Sequence, residues 1–208
     1  MRIIVFGDSI TQGMWDRNGG WVALLQQYYI AKEISNGFAD SQPIIFNLGI
    51  SGETAAGVVK RLNLETEARR WLDDPLVLVI AVGQNDSAVS RGEEASTPEL
   101  FKGELEQIIS AALPFTQHVI FVGLTPVDET RTDPVDWGQY SYLNERIALF
   151  DSQIHDLASE KELVSIKLFD ALAHRQAEGN ILADGLHPDS DGHRIIADLV
   201  SAEIEKLL

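Results

Sequence analysis

The chain has 208 residues, of which 16 are Lys or Arg and 32 are Asp or Glu, giving a formal charge of −16. Its 45% hydrophobic content is that of a globular rather than a disordered chain, and one domain over residues 1–208 is the expectation at this length. The acidity excludes a dedicated nucleic-acid binder, and the absence of cysteine excludes disulfides, thiolate nucleophiles and zinc–sulfur sites.

Residues 2–6 read as a first strand that turns polar at Gly7-Asp8-Ser9. That apolar run is too short for a signal-peptide core, and no run approaches the ~18 residues of a transmembrane helix. The expectation is a cytoplasmic chain (secreted if a leader has been removed) without stable membrane insertion. A helix over 21–29 leads to a second strand at 44–48, and a helix over 58–72 leads to a third at 76–82. The third strand is apolar on both faces of its alternation, as a central parallel strand covered by helices on both sides would be. Phe101, Leu105, Ile108 and Ala112 mark the next helix before a strand at 118–123. Leu143, Ile147, Phe150, Ile154 and Leu157 mark another before a strand at 164–169. Ile195, Ile196, Leu199, Val200 and Ile204 share one face of the last helix. Five β-then-α units predict an α/β fold: a three-layer α/β/α sandwich around a five-stranded parallel sheet with right-handed crossovers.

Ligands of such sheets collect beyond the carboxyl ends of the strands. The segments there are 7–20, 49–54, 83–97, 124–140 and 170–188, and the long pair, 83–97 and 124–140, has the length of lids or binding loops. Gly7-Asp8-Ser9-Ile10-Thr11-Gln12-Gly13 follows the first strand. It is not a Walker A loop, because Met14 stands where Lys is needed, and it lacks the G-x-S-x-G of an α/β-hydrolase elbow. Ser9 is either a nucleophile at the sheet edge or a helix or turn cap.

Asp184-Gly185-Leu186-His187-Pro188 precedes the final helix. A carboxylate three residues before an imidazole can hold Nδ1 and leave Nε2 free to take a proton from a hydroxyl. The plainer alternative has Asp184 starting a turn and His187 capping the helix, with Pro188 as its first residue. Counted from His187, Asp189, Asp191, Gly192 and Asp198 imitate a calcium loop, but His in the first position and Asp in the last argue against a metal. A glycine N–H within Asn47-Leu48-Gly49-Ile50-Ser51-Gly52-Glu53-Thr54 and the side-chain amide of Asn85, within Gly83-Gln84-Asn85-Asp86, follow the second and third strands. With the Ser9 N–H they supply three donors for a developing oxyanion. Each residue alone is ordinary turn chemistry. Together, on one sheet edge, they are the parts of a serine hydrolase.

These four blocks, in order, resemble those of the SGNH, or GDSL-like, lipase–esterase hydrolase family across essentially the whole chain. Ile10 stands where the namesake motif has Leu, and Gly52 fits the second-block glycine better than Gly49. The resemblance implies a flavodoxin-like fold and a triad of Ser9 as nucleophile, His187 as base and Asp184 as its orienter. It implies an oxyanion hole of Ser9, Gly52 and Asn85, an acyl-enzyme intermediate, and no metal or organic cofactor. The implied partner is a small-molecule ester of a small to medium acyl group. Thioesters, lysophospholipids and acetylated sugars are other substrates of the family, and a non-catalytic phosphate- or ligand-binding domain is the reading from another class. Met14, Trp15, Trp137 and Tyr140 are candidates for the substrate pocket, although aromatic residues as readily pack loops onto the body. Of the other histidines, His193 is the rival base, while His118, His155 and His174 fit structural or solvated roles. A neutral imidazole acting as base predicts activity that rises with pH as the ring loses its proton.

Overall fold

The computed structural model describes residues 1–38, 42–71 and 73–208. β1 (Arg2–Gly7) leads through α1 (Ser9–Gln12) and α2 (Gly20–Ser35) to β2 (Ile44–Gly49), and α3 (Ala55–Arg69) returns the chain to β3 (Leu76–Ala81). A hairpin of β4 (Val89–Ser90) and β5 (Glu93–Glu94) precedes α4 (Pro98–Ala112) and β6 (Val119–Val122). Then follow α5 (Glu129–Thr132), β7 (Tyr140–Ser141), α6 (Asn144–Glu160), β8 (Val164–Ile166), α7 (Phe169–Glu178) and α8 (Ser190–Ile204).

The strands β2, β1, β3, β6 and β8 lie side by side in that order, every pair parallel. This is the flavodoxin-like order, with its switch point beside β1. Alternate residues of the central strands feed two cores. Ile3, Val5, Val77 and Val79 pack with Trp21, Leu25 and Val200 of α2 and α8. Ile4, Phe6, Leu78 and Ile80 pack with Leu62, Leu105, Ile147 and Phe150 of α3, α4 and α6. β3 is buried at each position from Leu76 to Ile80 because it is the middle strand with a helical layer on either face.

The elements depart from expectation where burial gives little periodic signal. The fifth strand ends at Ile166, and the segment 170–188, expected to be a loop, contains most of α7. That helix buries only Leu172, so no apolar stripe announces it. α2 continues past Tyr29 to Ser35, with Ile30 and Ile34 turned to solvent. α3 spans Ala55–Arg69, and Leu72, the expected end of that helix, lies outside the described residues. No helix among the described residues is long and apolar enough to cross a membrane.

The two long segments at the reactive edge are joined. β7 pairs with β4, matching Tyr140 to Ser90 and Ser141 to Val89, so 83–97 and 124–140 form one small antiparallel sheet, β5-β4-β7. Arg146 of α6 donates to the carbonyls of Ser87 and Ser96 at 2.9 and 3.2 Å and pairs with Glu94, tying this wall to the body.

Candidate active site

The chain leaves buried β1 at Gly7, and the Asp8 carboxylate turns back to accept the Ile10 N–H at 2.9 Å. Asp8, not Ser9, therefore caps α1. Ser9 is the first helical residue, so its hydroxyl is not spent on capping, and its N–H is one of the donors that a helix start leaves without an intrahelical partner.

The segment carrying Asp184 and His187 is a closed turn. Leu182 and Pro188 form an antiparallel bridge, and the Ala183 N–H reaches the His187 carbonyl at 2.8 Å. Asp184 Oδ1 accepts the N–H groups of Leu186 at 3.0 Å and His187 at 2.8 Å, while Oδ2 lies 2.8 Å from His187 Nδ1. His187 Nε2 lies 2.9 Å from Ser9 Oγ. Partial burial would raise the Asp184 carboxyl, but the His187 ring N–H and the two backbone N–H groups outweigh it and hold the group well below the ordinary carboxylate range. Asp184 thus stays ionised and fixes the ring with Nδ1–H as donor, which leaves Nε2 as an acceptor for the serine proton.

The plainer alternative, in which His187 caps the last helix, does not hold. Asp189 is the cap, accepting the N–H groups of Asp191 at 2.9 Å and Gly192 at 3.0 Å, and Pro188 lies before the helix. Asp189 therefore has a structural task within the run that imitates a calcium loop. Among the described residues no three His, Asp or Glu side chains converge as a ligand set.

Gly49 and Gly52 have different roles. A side chain at Gly49 would strike the Gln12 amide nitrogen at 2.4 Å, and the Gly49 N–H is already donated to Asn47 Oδ1 at 2.9 Å. Gly52 has φ +78 and lines the cavity described below. Its loop is held by Glu53, whose carboxylate meets Arg61 at 2.6 Å, and Arg61 also donates to the Leu48 carbonyl at 2.8 Å. Asn85 donates Nδ2–H to the Glu53 carbonyl at 2.9 Å, and its Oδ1 accepts the Tyr142 hydroxyl at 3.0 Å.

The neighbours of Asn85 hold the strand exits together. Gln84 exchanges two bonds with the Thr125 backbone, at 3.2 and 3.3 Å, joining the exits of β3 and β6. Asp86 caps α3 by accepting the Ala55 N–H at 3.1 Å. Burial drives the Asp86 carboxyl up to about 7, against that N–H bond and helped by the nearby Glu104 and Asp8 charges. Asp8 is likewise pushed up to about 6 by burial, its bond from the Ile10 N–H opposing. Between pH 4 and 7 the native chain therefore holds the Asp86 proton more tightly than the unfolded chain. Its contribution to stability is full below about pH 4 and is lost as pH rises through 7. Asp86→Asn keeps an acceptor for Ala55 without the titration. Its stability relative to wild type, read by urea unfolding, is expected to rise between about pH 4 and pH 7 at about 1.4 kcal/mol per pH unit, to a ceiling of about 4 kcal/mol, and to level off by pH 8. A constant difference across that range would reject this account.

Ser9, His187, Gly52 and Asn85 open onto a cavity of about 550 Å³, within the range of small-ligand sites. Met14, Trp15, Trp137 and Tyr140 all line it, joined by Ser51, Thr54, Ala88, Ala95, Tyr142 and Leu186, which the sequence reading did not single out. Trp15 and Trp137 are exposed by 65% and 58%, so they form a rim rather than packing the loops inward. Trp137 and Tyr140 face each other with ring centroids 6.1 Å apart.

The remaining histidines sit apart from this chain of bonds. His193 is fully buried in α8, where its Nδ1 accepts the Trp21 N–H at 3.3 Å and burial lowers its pKa. His155 lies beside Asp151 at 3.3 Å, His118 is exposed just before β6, and His174 is exposed on α7 rather than in a loop.

The chain resembles known hydrolases in sequence and in fold. A human protein named isoamyl acetate-hydrolyzing esterase 1 homolog is 25% identical over 214 residues, spanning 99% of this chain and 82% of its own length. The crystal structure of a lipase/acylhydrolase from Enterococcus faecalis superposes with TM-score 0.78 and 26% identity, covering 100% of this chain and 96% of the other. An acetylxylan esterase from Geobacillus stearothermophilus, 18% identical, shares the fold with TM-score 0.75 over 98% of this chain and 93% of its own. The sequence model of the GDSL-like lipase/acylhydrolase family matches residues 5–195. The chain belongs to that family of hydrolases, and the match runs from within β1 through the turn that carries Asp184 and His187.

Proposed function

We propose that this chain is a serine esterase that cleaves small, uncharged carboxylic esters through an acyl-enzyme on Ser9. One observation carries the reading: the unbroken chain Ser9 Oγ, His187 Nε2, His187 Nδ1, Asp184 Oδ2, with steps of 2.9 and 2.8 Å, at the wall of the cavity. Ser9 attacks the ester carbonyl carbon while His187 Nε2 takes the hydroxyl proton, and Asp184 stabilises the resulting imidazolium. The carbonyl oxygen, now negative, takes hydrogen bonds from the N–H groups of Ser9 and Gly52 and from Asn85 Nδ2. Collapse expels the alcohol, which receives the proton from His187. Water activated by the same imidazole then releases the acid and restores Ser9.

The cavity favours a neutral ester. Among the described residues, its lining includes no Lys, Arg, Asp or Glu side chain. An anionic substrate would lose hydration there without a counter-charge, and the chain's −16 charge repels it further. The human relative is named for isoamyl acetate, itself a small neutral ester.

The test is hydrolysis of p-nitrophenyl esters from acetate to long chains, without added metal, with mass spectrometry of the protein after an organophosphonate. Turnover of the short esters, with one phosphonyl group on the peptide containing Ser9, is the expected outcome. Labelling elsewhere, or turnover without labelling, would sink the mechanism.

A further inference from the structure

Tyr142 lies between β7 and α6 and is buried, with only 3% of its surface exposed. Its backbone is pinned on both sides by one residue. The Tyr142 N–H reaches the Thr132 carbonyl at 2.9 Å, and the Thr132 hydroxyl reaches the Tyr142 carbonyl at 2.9 Å. Its hydroxyl lies 3.0 Å from Asn85 Oδ1. The direction of that bond follows from its neighbour. A backbone carbonyl can only accept, so the Asn85 atom 2.9 Å from the Glu53 oxygen is the amide nitrogen, and the atom facing Tyr142 is the amide oxygen. Tyr142 therefore donates. Burial, with the charges of Asp8 and Asp184 and the neighbouring Tyr140, raises the phenol further, so it remains a donor throughout the working range.

We propose that Tyr142 is a positioning residue for the reaction, acting through Asn85, and this rests on the oxyanion role given to Asn85 above. Held at Oδ1 by Tyr142 and at one Nδ2 hydrogen by the Glu53 carbonyl, the amide cannot rotate, and its second Nδ2 hydrogen is left for the developing oxyanion. Donation into Oδ1 also draws electron density from the amide nitrogen and strengthens that remaining N–H as a donor. The effect belongs to the transition state, where the oxygen carries charge, and not to ground-state binding.

The experiment is a double-mutant cycle with Tyr142→Phe and Asn85→Ala on p-nitrophenyl acetate, with Ser9→Ala as the blank. Tyr142→Phe keeps the ring and removes one oxygen. It is expected to lower kcat about tenfold with KM changed less than about twofold, the loss of one hydrogen bond's worth of transition-state stabilisation. In the Asn85→Ala background the same substitution is expected to change kcat by less than about twofold, because the group it acts through is gone. A tenfold loss in both backgrounds would mean that Tyr142 acts through packing and would overturn the proposal, as would unchanged kcat in Tyr142→Phe while Asn85→Ala is slow. If Asn85→Ala itself keeps wild-type turnover, the oxyanion reading fails and this proposal falls with it, an outcome distinct from the other two.

Discussion

Ser9→Ala is expected to lower kcat for p-nitrophenyl acetate by about 10⁴ to 10⁶-fold, with the fold and thermal midpoint nearly unchanged. The alanine removes one oxygen from a nearly buried position, and Ser9 Oγ has no capping duty, since Asp8 performs it. His187→Ala is expected to cost as much. The double variant should be no slower than either single one, because nucleophile and base act as a unit and the residual rate comes from binding and the oxyanion donors. His193→Ala supplies the contrast. It strips the Trp21 N–H of its acceptor and opens a void in α8, so stability falls, but Ser9 keeps its base. Full turnover in His187→Ala with none in folded His193→Ala would reverse the assignment.

Asn85→Ala should cost about 10² to 10³-fold in kcat with KM changed little, the scale of losing one oxyanion donor. Nδ2 is held by the Glu53 carbonyl on the same loop that carries Gly52, so the two proposed donors share one support. That loop is in turn held by the Glu53–Arg61 pair. The proposal predicts the kcat-dominated split that separates an oxyanion donor from a residue that merely binds substrate, which would raise KM instead. Steady-state kinetics on short p-nitrophenyl esters reads the difference directly.

The strands and the residues at their carboxyl ends were legible because each rests on a local rule. An unbroken apolar run marks β3, and Ser9, Gly52, Asn85 and the Asp184–His187 turn each follow a strand or precede the last helix. α7 was missed because it buries a single side chain, and the ends of α2 were missed because exposed turns carry no stripe. The cap of α8 was not legible, because the register of a helix start depends on which residue's side chain turns back, and Asp189 and His187 are both plausible by type. The choice of Gly52 over Gly49 rested on resemblance alone. In the structure the Gly49 N–H is donated to Asn47, and a side chain at Gly49 would strike the backbone of α1.

By itself, then, the amino-acid order determined the alternation of strands and helices, the parallel sheet, and the one edge to which the polar clusters belong, because period, chain direction and crossover handedness are set by neighbouring residues. The tertiary structure alone decided which of those clusters touch. Ser9 and His187 are 178 positions apart, and their 2.9 Å contact exists only because β1 and the final turn meet at the sheet's edge. Tyr142 meets Asn85 across 57 positions, after β7 pairs with β4, and no local pattern encodes that pairing. Hydrogen bonds of this kind depend on distances of a few tenths of an ångström between segments far apart in the chain, and only the packed fold sets them.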